Sequence, residues 1–208
     1  MTAEPQWLKW ARQVQAIAQT GLHFAASNYD RERYEQLREL AIEAFAEHSN
    51  RSEPEVRAVF EQQEGYATPK VDVRGVVFRG DEILLVRERS DGRWTLPGGW
   101  ADVNDSPSEA VEREILEESG FEAKSRRLLA LYDRAKHPHL PPFAFHVYKI
   151  FIECELLGGS PITSHETTAV GFFPETDLPP LSGSRVLPEQ IKRCFEMRLD
   201  PQAPAYFD

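Results

Sequence analysis

The sequence predicts a layered α/β or α+β domain that follows a helical N-terminal segment. Three observations support this fold class. Apolar residues recur at helical spacing through residues 1–65, β-rich runs begin at residue 71, and a central and a terminal helical pattern interrupt and close those runs. A chain of 208 residues has room for one such domain and a small additional one.

Three helices are predicted in residues 1–65. The first has apolar residues at helical spacing, and Gly21 is its predicted end. Asp30 is the predicted cap of the second helix. The third is predicted to start at Ser52, where Glu55 completes the spacing of a capping box.

Two tryptophans, Trp7 and Trp10, lie on the first predicted helix. Exposed tryptophans on a short helix usually dock against another surface, because their rings carry a large apolar area. Residues 1–65 are therefore predicted to be a helical domain that forms a dimer or shapes a binding cleft. Residues 66–208 are predicted to form the layered domain.

The change to strands follows the linker QEGYATPK. The runs VDVRGVVF and EILLVRER are β-rich, and the RGDE between them predicts a hairpin. Further strands are predicted for RRLLALYDR, FAFHVYKIFIECEL and AVGFF, and PEQIKRCFEMRL predicts the terminal helix. Alternation along FAFHVYKIFIECEL places Phe143, Phe145 and Val147 on one face and His146 and Tyr148 on the other.

The central helix has the best-marked limits of all the predicted elements. Ser106 is its predicted N-cap, Pro107 occupies the first helical position, and Glu109 completes a capping box. Gly120 is its predicted end. The apolar side that packs on the sheet is predicted to contain Val111 and Ile115.

Three glutamates, Glu114, Glu117 and Glu118, fall within an arc of about 100° on this helix. Like charges at this spacing repel, so a compensating cation is expected, and Mg²⁺ and Mn²⁺ favour carboxylate oxygens. Arg113 precedes Glu117 by four residues and can hold its side chain in one rotamer. From these residues alone, a solvated acidic helix remains the alternative.

A glycine pair precedes the helix in LPGGW. Gly98 and Gly99 permit a positive φ angle and close backbone approach, so a carbonyl can turn toward a metal and amides toward a phosphate. An acidic protein that handles phosphates needs such a cation, and the net charge of −10 disfavours non-specific binding to long nucleic acid.

The segment from Gly99 to Phe121 resembles the Nudix box, in which a glycine, a glutamate and the sequence Arg-Glu-x-x-Glu-Glu occur at fixed spacing. Asp105 stands where the box has its first glutamate, and Phe121 stands where an aliphatic residue is commoner. The resemblance implies an α/β/α sandwich with a mixed sheet. It also implies divalent-metal-dependent hydrolysis of the pyrophosphate bond in a nucleoside diphosphate linked to another moiety, X.

Residue roles follow from the same resemblance. The implied metal ligands are Glu114, Glu117, Glu118 and the carbonyl of Gly98, and the implied cation is Mg²⁺ or Mn²⁺. Arg113 is implied as the residue that orients the carboxylates, and Glu117 and Glu118 are also expected to take part in catalysis. A catalytic base often follows the box, so Glu166 is the candidate base and His165 its rival.

The resemblance extends beyond the box. The N-terminal helices, with YATPKVDVRGVVF, ILLVRERSDGRWTLPGGWADV and HPH, resemble a Nudix subgroup that carries a small all-helical N-terminal domain. That subgroup implies a homodimer and a substrate such as CDP-choline or ADP-ribose. The alternatives are an RNA 5′-end pyrophosphohydrolase or exonuclease, which could use the same metal site, and a non-enzymatic nucleotide-sensing module.

Substrate contacts are expected from two further segments. Arginines of RERSDGRW can grip a diphosphate, although a surface hairpin of mixed charge accounts for them equally well. The DRAKHPHLPPFAFHVY segment offers histidines for phosphate or X and aromatic rings for a base, with ordinary packing as the alternative. The predicted contacts are Arg87, Arg89, His137, His139 and Tyr148.

The location of the protein is predicted from two missing patterns. No apolar run approaches the roughly 20 residues that span a bilayer, and the N-terminal residues lack a basic-then-apolar signal pattern. A cytoplasmic protein without membrane contact is therefore expected.

Overall fold

The computed structural model describes residues 4–208, so the first three residues of the predicted helical domain lie outside the description. The described residues divide into two compact units. The helical unit contains residues 4–69 and Pro142–His146, and the sheet unit contains Lys70–Pro141 and Val147–Asp208. None of the helices in this part of the chain is long and apolar enough to cross a membrane.

The helices of the first unit are α1 (Gln6–Phe24), α2 (Asn28–His48) and α3 (Glu53–Glu61). The predicted end at Gly21 is wrong, because α1 continues and Gly21 packs against the Tyr34 ring, which a Cβ would approach to 2.3 Å. The predicted cap at Asp30 is also wrong. Ser27 caps α2, and its side chain accepts a hydrogen bond from the Asp30 amide. The capping box of Ser52 and Glu55 is confirmed.

The helical unit has its own apolar core, which consists of Leu8, Ala41, Ile42, Phe45, Val56 and Phe60. Trp7 packs against this core, with its ring centroid 5.8 Å from that of Phe45. Trp10 is 62% exposed. The prediction of two exposed tryptophans therefore holds for Trp10 only.

The segment before Val147 belongs to the helical unit and is not a strand. Phe145 packs edge-to-face on Phe60, and the Arg12 guanidinium donates to the Phe143 carbonyl at 2.7 and 2.9 Å. The predicted alternation of Phe143 and Phe145 with His146 along one strand is therefore wrong, because these contacts hold the segment on the helices.

The sheet unit contains seven strands and two helices. The strands are β1 (Lys70–Arg79), β2 (Glu82–Glu88), β3 (Trp94–Thr95), β4 (Phe121–Asp133), β5 (Val147–Gly159), β6 (Thr167–Pro174) and β7 (Tyr206–Phe207). The helices are α4 (Pro107–Ser119) and α5 (Pro188–Leu199). Short 3₁₀ turns occupy Arg134–Lys136 and Glu175–Asp177.

The seven strands form one mixed sheet in the order β3-β2-β1-β5-β4-β7, and β6 pairs with β2. β1 and β5 are parallel, whereas β4 and β5 are antiparallel. β1 and β2 form the predicted hairpin, in which Arg79 lies opposite Glu82.

The two helices cover opposite faces of the sheet. On one face, α4 packs Val111 and Ile115 against β1 and β2 residues that include Val73 and Leu84. On the other face, Ile191 of α5 and its neighbours join a second core. The α/β/α sandwich that the sequence predicted is confirmed.

Candidate active site

Helix α4 is placed by the signals that the sequence offered. Ser106 and Glu109 form the capping box, and Gly120 ends the helix in the left-handed region at φ 74°. Gly75 of β1 allows the helix to approach the sheet, because a Cβ there would lie 2.6 Å from the Ile115 side chain. The carboxylates of the last two helical turns are therefore held next to the loop that contains Gly98.

Glu118 is the most buried carboxylate of the helix, with 4% of its surface exposed. Its Oε2 accepts a hydrogen bond from the Gly98 amide at 2.9 Å. Burial raises the pKa of Glu118 to about 8, although the Arg74 cation and the Gly98 hydrogen bond oppose that shift. A cation placed at this carboxylate would offset the desolvation of its charged form.

Glu114 is sheltered from solvent like Glu118, whereas Glu117 is exposed. The Glu114 side chain is 12% exposed, and a Cβ on Gly99 would lie 3.1 Å from its Oε2. Burial raises the pKa of Glu114. The Glu117 side chain is 59% exposed. The cluster therefore has two sheltered carboxylates and one that faces solvent.

Arg113 joins four carboxylates. Its Nη1 donates to Glu114 Oε1 at 3.0 Å and to Glu117 Oε2 at 3.2 Å. Its Nε donates to Asp105 at 3.3 Å, and its Nη2 donates to Asp102 at 3.2 Å. The sequence predicted the contact with Glu117, and the guanidinium also restrains Glu114 and both aspartates.

A buried charge network lies under the glycine turn. Arg74 donates to both carboxylate oxygens of Asp72, at 2.9 and 2.7 Å, and its Nη1 donates to the Leu96 carbonyl at 3.2 Å. Lys149 donates to Asp72 at 2.7 Å. Burial opposes ionisation of Asp72, but the two cations outweigh it and lower its pKa to about 2. The network therefore connects β1, β5 and Leu96, which precedes the glycine turn.

Glu88, at the end of β2, is a further buried carboxylate, and Arg185 pairs with its Oε1 at 2.9 Å. Burial raises the pKa of Glu88, and its charge in turn raises that of Glu118. Sequence reasoning missed Arg74, Glu88 and Arg185 as members of the site. The available signal was the alternation of Asp72 and Arg74 inside an otherwise apolar strand, which is typical of a buried ion pair.

The candidate base, Glu166, lies on a turn just before β6. Its side chain is 57% exposed, and its Oε1 lies 3.1 Å from the ring of His165, which is 88% exposed. The next residue, Thr167, is fully buried and donates from its hydroxyl to the Glu118 carbonyl at 2.9 Å. The turn is thus tied directly to the last turn of α4.

The two arginines predicted as substrate contacts, Arg87 and Arg89, make different contacts. The Arg87 Nε donates to the Gly92 carbonyl at 2.8 Å, within the hairpin. The Arg89 Nε donates to the His165 carbonyl at 2.9 Å, so its guanidinium contacts the turn that carries Glu166.

The structure uses both histidines of the HPH segment in contacts within the sheet unit. His139 is 5% exposed, and its ring nitrogens contact the Gly183 carbonyl at 2.9 Å and the Gln190 side chain at 3.4 Å. His137 contacts both oxygens of the Asp208 carboxylate at 3.0 Å. Tyr148 is 39% exposed. These contacts of His137 and His139 do not involve the carboxylates of α4.

Comparison with known protein families identifies the family to which the fold belongs. Residues 68–194, more than half of the chain, match the family model described as NUDIX domain. The chain belongs to the Nudix family. Residues 5–60 match a second Nudix model, described as a UDP-X-like N-terminal oligomerisation domain.

Relatives of this Nudix protein align over nearly its full length. YjhB of Bacillus subtilis (strain 168), named as a candidate ADP-ribose pyrophosphatase, is 45% identical over 205 residues, which are 99% of this chain and 98% of that protein. A solved UDP-X diphosphatase is 36% identical with a TM-score of 0.63, and the match covers 97% of this chain and 98% of that one.

A second solved structure matches less of the chain. An ADP-ribose pyrophosphatase from Streptococcus suis 89-1591 is 38% identical with a TM-score of 0.60, over 68% of this chain and all of that one. Together these relatives place the chain among Nudix hydrolases that resemble ADP-ribose and UDP-X diphosphatases. It is a Nudix pyrophosphohydrolase.

Nudix hydrolases generally use divalent metal ions. Among residues 4–208, no group of three or more His, Cys, Asp or Glu side chains is already arranged as a metal site. The donor chemistry nevertheless fits a hard cation, since two sheltered carboxylates with raised pKa values lie on consecutive turns of α4.

Proposed function

We propose that this Nudix protein hydrolyses the pyrophosphate bond of a nucleoside diphosphate linked to a moiety X, of the CDP-choline or ADP-ribose type. The products are a nucleoside monophosphate and phospho-X. The burial of Glu118 beside the Gly98 amide carries the proposal, because a carboxylate in that position is expensive to ionise unless a cation is bound to it.

The residues that would hold Mg²⁺ or Mn²⁺ are Glu114, Glu117, Glu118 and the carbonyl of Gly98. When bound, such a cation supplies charge neutralisation at the leaving phosphate and acidifies a water molecule. The carbonyls of Pro97 and Gly99 accept hydrogen bonds from β1 amides at 2.8 Å, which supports Gly98 as the member of the turn that offers its carbonyl.

The protein groups then have separate roles. Arg113 restrains Glu114 and Glu117, so that the carboxylates need little reorganisation when they bind a cation. Glu166 takes the proton of the attacking water, in the role of general base. Arg87, Arg89, His137, His139 and Tyr148 stay predictions as substrate contacts, and the buried position of His139 makes it the weakest of the five.

The domains carry separate parts of the proposal. The helical domain, residues 1–65, forms the homodimer, and residues 66–208 carry the hydrolase chemistry. Support for the dimer comes from α1, where Trp10, Ile17 and Phe24 are 62%, 48% and 66% exposed and lie seven residues apart on one helix face. A groove of about 620 Å³, to which Ile17, Phe24 and Tyr66 contribute, adjoins this stripe.

A substrate panel tests the proposed reaction. The compounds are CDP-choline, CDP-ethanolamine, ADP-ribose, UDP-glucose, FAD, NADH, 8-oxo-dGTP and 5′-triphosphate RNA, each with Mg²⁺ or Mn²⁺ and with chelator. Phosphorus NMR resolves the products, and we expect metal-dependent release of a nucleoside monophosphate from one of the nucleoside diphosphates linked to X.

The panel separates the competing functions. Preferential release of diphosphate from the RNA would replace the proposal with the RNA-end function. Nucleotide binding without turnover by any compound would favour the sensing module. Glu118→Gln should abolish most of this turnover. Its matched control is Glu122→Gln, which makes the same chemical change at an exposed residue of β4 outside the cluster.

A further inference from the structure

The turn that carries Glu166 is held by a single arginine. The Arg89 Nε donates to the His165 carbonyl at 2.9 Å, and its Nη2 donates to the Ser164 and Thr167 carbonyls at 3.2 and 3.3 Å. The Arg89 backbone amide donates to the Glu166 carbonyl at 2.8 Å. Arg89 therefore donates hydrogen bonds to the carbonyls of four consecutive residues, 164–167, at the start of β6.

The same turn is also closed by its own side chains. Ser164 Oγ accepts from the amides of Glu166 and Thr167 at 3.1 and 3.2 Å. Thr167 Oγ1 accepts from the Ser164 amide at 3.0 Å and donates to the Glu118 carbonyl at 2.9 Å. Amides and carbonyls of this turn are therefore both hydrogen-bonded. As long as Arg89 stays in place, the backbone that carries Glu166 has few alternative conformations.

The turn is joined to α4 directly after Glu166, because the Thr167 hydroxyl donates to the Glu118 carbonyl at 2.9 Å. A base must keep hydrogen-bond reach of its water, and a displacement of about 1 Å can lower a rate by about 100-fold. The orientation of this exposed turn therefore matters for the reaction.

We propose that Arg89 is a positioning residue, which fixes the 164–167 turn and thereby holds Glu166 at the carboxylate cluster. The inference rests on the proposed function, in which Glu166 is the base. For Arg89, we propose this positioning role in place of the substrate contact predicted from the sequence, because its Nε and Nη2 donors are directed at main-chain carbonyls.

A double-mutant cycle with Arg89→Ala and Glu166→Gln tests the coupling, on whichever panel compound the wild type hydrolyses. We expect Glu166→Gln to lower kcat by about 100-fold or more, and Arg89→Ala to lower it by about tenfold with little change in KM. In the Glu166→Gln background, Arg89→Ala should lower kcat by less than about twofold, because the group it positions has already been disabled.

A second measurement reports on the turn without any substrate. Amide hydrogen exchange of residues 164–167 should become at least about tenfold faster in Arg89→Ala, since the backbone of this turn loses three hydrogen bonds from the guanidinium. Arg89→Lys should give an intermediate exchange rate and an intermediate kcat, because a lysine keeps the charge but lacks the planar fork of donors that contacts the three carbonyls. Arg126→Ala, at an exposed ion pair with Glu155 on the neighbouring strands, should match wild type in both measurements.

Each outcome separates the positioning role from its alternatives. Unchanged exchange in both Arg89 variants would overturn the proposal, whatever the panel gives. A rise in KM that persists in the Glu166→Gln background would assign Arg89 to the substrate diphosphate instead. If the panel gives no turnover while exchange accelerates, the clamp on the turn stands and the proposed hydrolysis fails.

Discussion

The Glu118 carboxylate accepts a hydrogen bond from the Gly98 amide at 2.9 Å, although twenty residues separate them in the chain. The contact depends on the backbone conformation of Gly98, whose φ of 139° lies where side-chain-bearing residues are rarely found. On both sides of it, the Pro97 and Gly99 carbonyls bind amides of β1. The Gly98 turn is therefore fixed to the sheet, and the C-terminal end of α4 is fixed to the Gly98 turn.

The first prediction concerns this glycine. In Gly98→Ala the new Cβ would lie 2.0 Å from the Val73 carbonyl oxygen, so the turn has to move away from β1. We expect a loss of about 2 kcal/mol or more in the free energy of unfolding and at least about 100-fold in kcat. Chemical denaturation and steady-state kinetics measure the two effects.

The control for this variant is Gly158→Ala on β5. A Cβ at Gly158 meets no atom within 4 Å, so the same chemical change adds no clash. Equal losses in the two variants would show that the methyl group acts through a general effect on folding and that the Gly98 turn has no special role.

The second prediction concerns the buried carboxylate. Glu118→Gln replaces a buried carboxyl group, whose charged form is desolvated, by a neutral amide of the same shape, so the metal-free protein should unfold at the same temperature as wild type or slightly higher. The variant should lose at least about 100-fold in kcat, because the proposed metal ligand can no longer become charged. Millimolar Mn²⁺ should raise the unfolding temperature of wild type and have little effect on Glu118→Gln.

Thermal unfolding with and without Mn²⁺ checks this prediction, and Glu122→Gln provides the charge-matched comparison. A wild-type protein that Mn²⁺ does not stabilise would count against the carboxylate cluster as a cation site. Wild-type turnover in Glu118→Gln would remove this residue from the active site even if another cation site exists.

The third prediction is a pH dependence that comes from His139. Burial and the nearby Lys149 cation lower the pKa of His139 from 6.5 to about 3. Between these two values the unfolded chain binds a proton on this histidine and the folded chain does not. The free energy of unfolding should therefore fall as the pH falls from 6.5 toward 3.

Denaturation of wild type and His139→Gln across that pH range isolates the contribution. The variant should show a shallower dependence, because glutamine does not titrate, while all carboxylates remain common to both proteins. His165→Gln is the comparison, since it makes the same chemical change at a histidine that is 88% exposed. A slope that His139→Gln does not alter would mean that the buried ring is protonated in the fold.

Local signals in the sequence were sufficient to predict the elements that have marked ends. The limits of α4 follow from Ser106, Pro107 and Gly120, and α5 occupies the predicted segment from Pro188 to Leu199. These limits are set by groups within a few residues of the helix end, so they can be read from the chain. The prediction that Gly21 ends α1 was wrong because this glycine is set by a distant residue. Tertiary folding brings the Tyr34 ring against it.

The residues of the candidate site also divide into those that sequence spacing brings together and those that only the fold brings together. The glutamates of α4 and Arg113 share one helix, and their proximity follows from helical spacing. Glu88 and Arg185 come together only when β2 and the segment before α5 meet in the fold, so no spacing in the sequence connects them. The contacts of Arg89 with residues 164–167 were likewise hidden, because they depend on the β2–β6 register.

The last prediction separates the two tryptophans of α1. Trp7 packs within its own unit, with ring centroids 5.8 Å from Phe45 and 5.0 Å from His48. Trp10 is 62% exposed in the same chain. Trp7→Ala should therefore destabilise the helical unit, whereas Trp10→Ala should leave its stability nearly unchanged and weaken the association of two copies.

The size of the effect follows from the exposed area. A tryptophan covers roughly 150–250 Å², so burying it at about 25 cal/mol per Å² gives several kcal/mol of association before entropic terms are subtracted. Light scattering over a dilution series should show wild-type dimers at concentrations where Trp10→Ala and Phe24→Ala are monomers. A monomeric wild type would refute the homodimer, and a dimer that persists in both variants would place the interface away from the exposed face of α1.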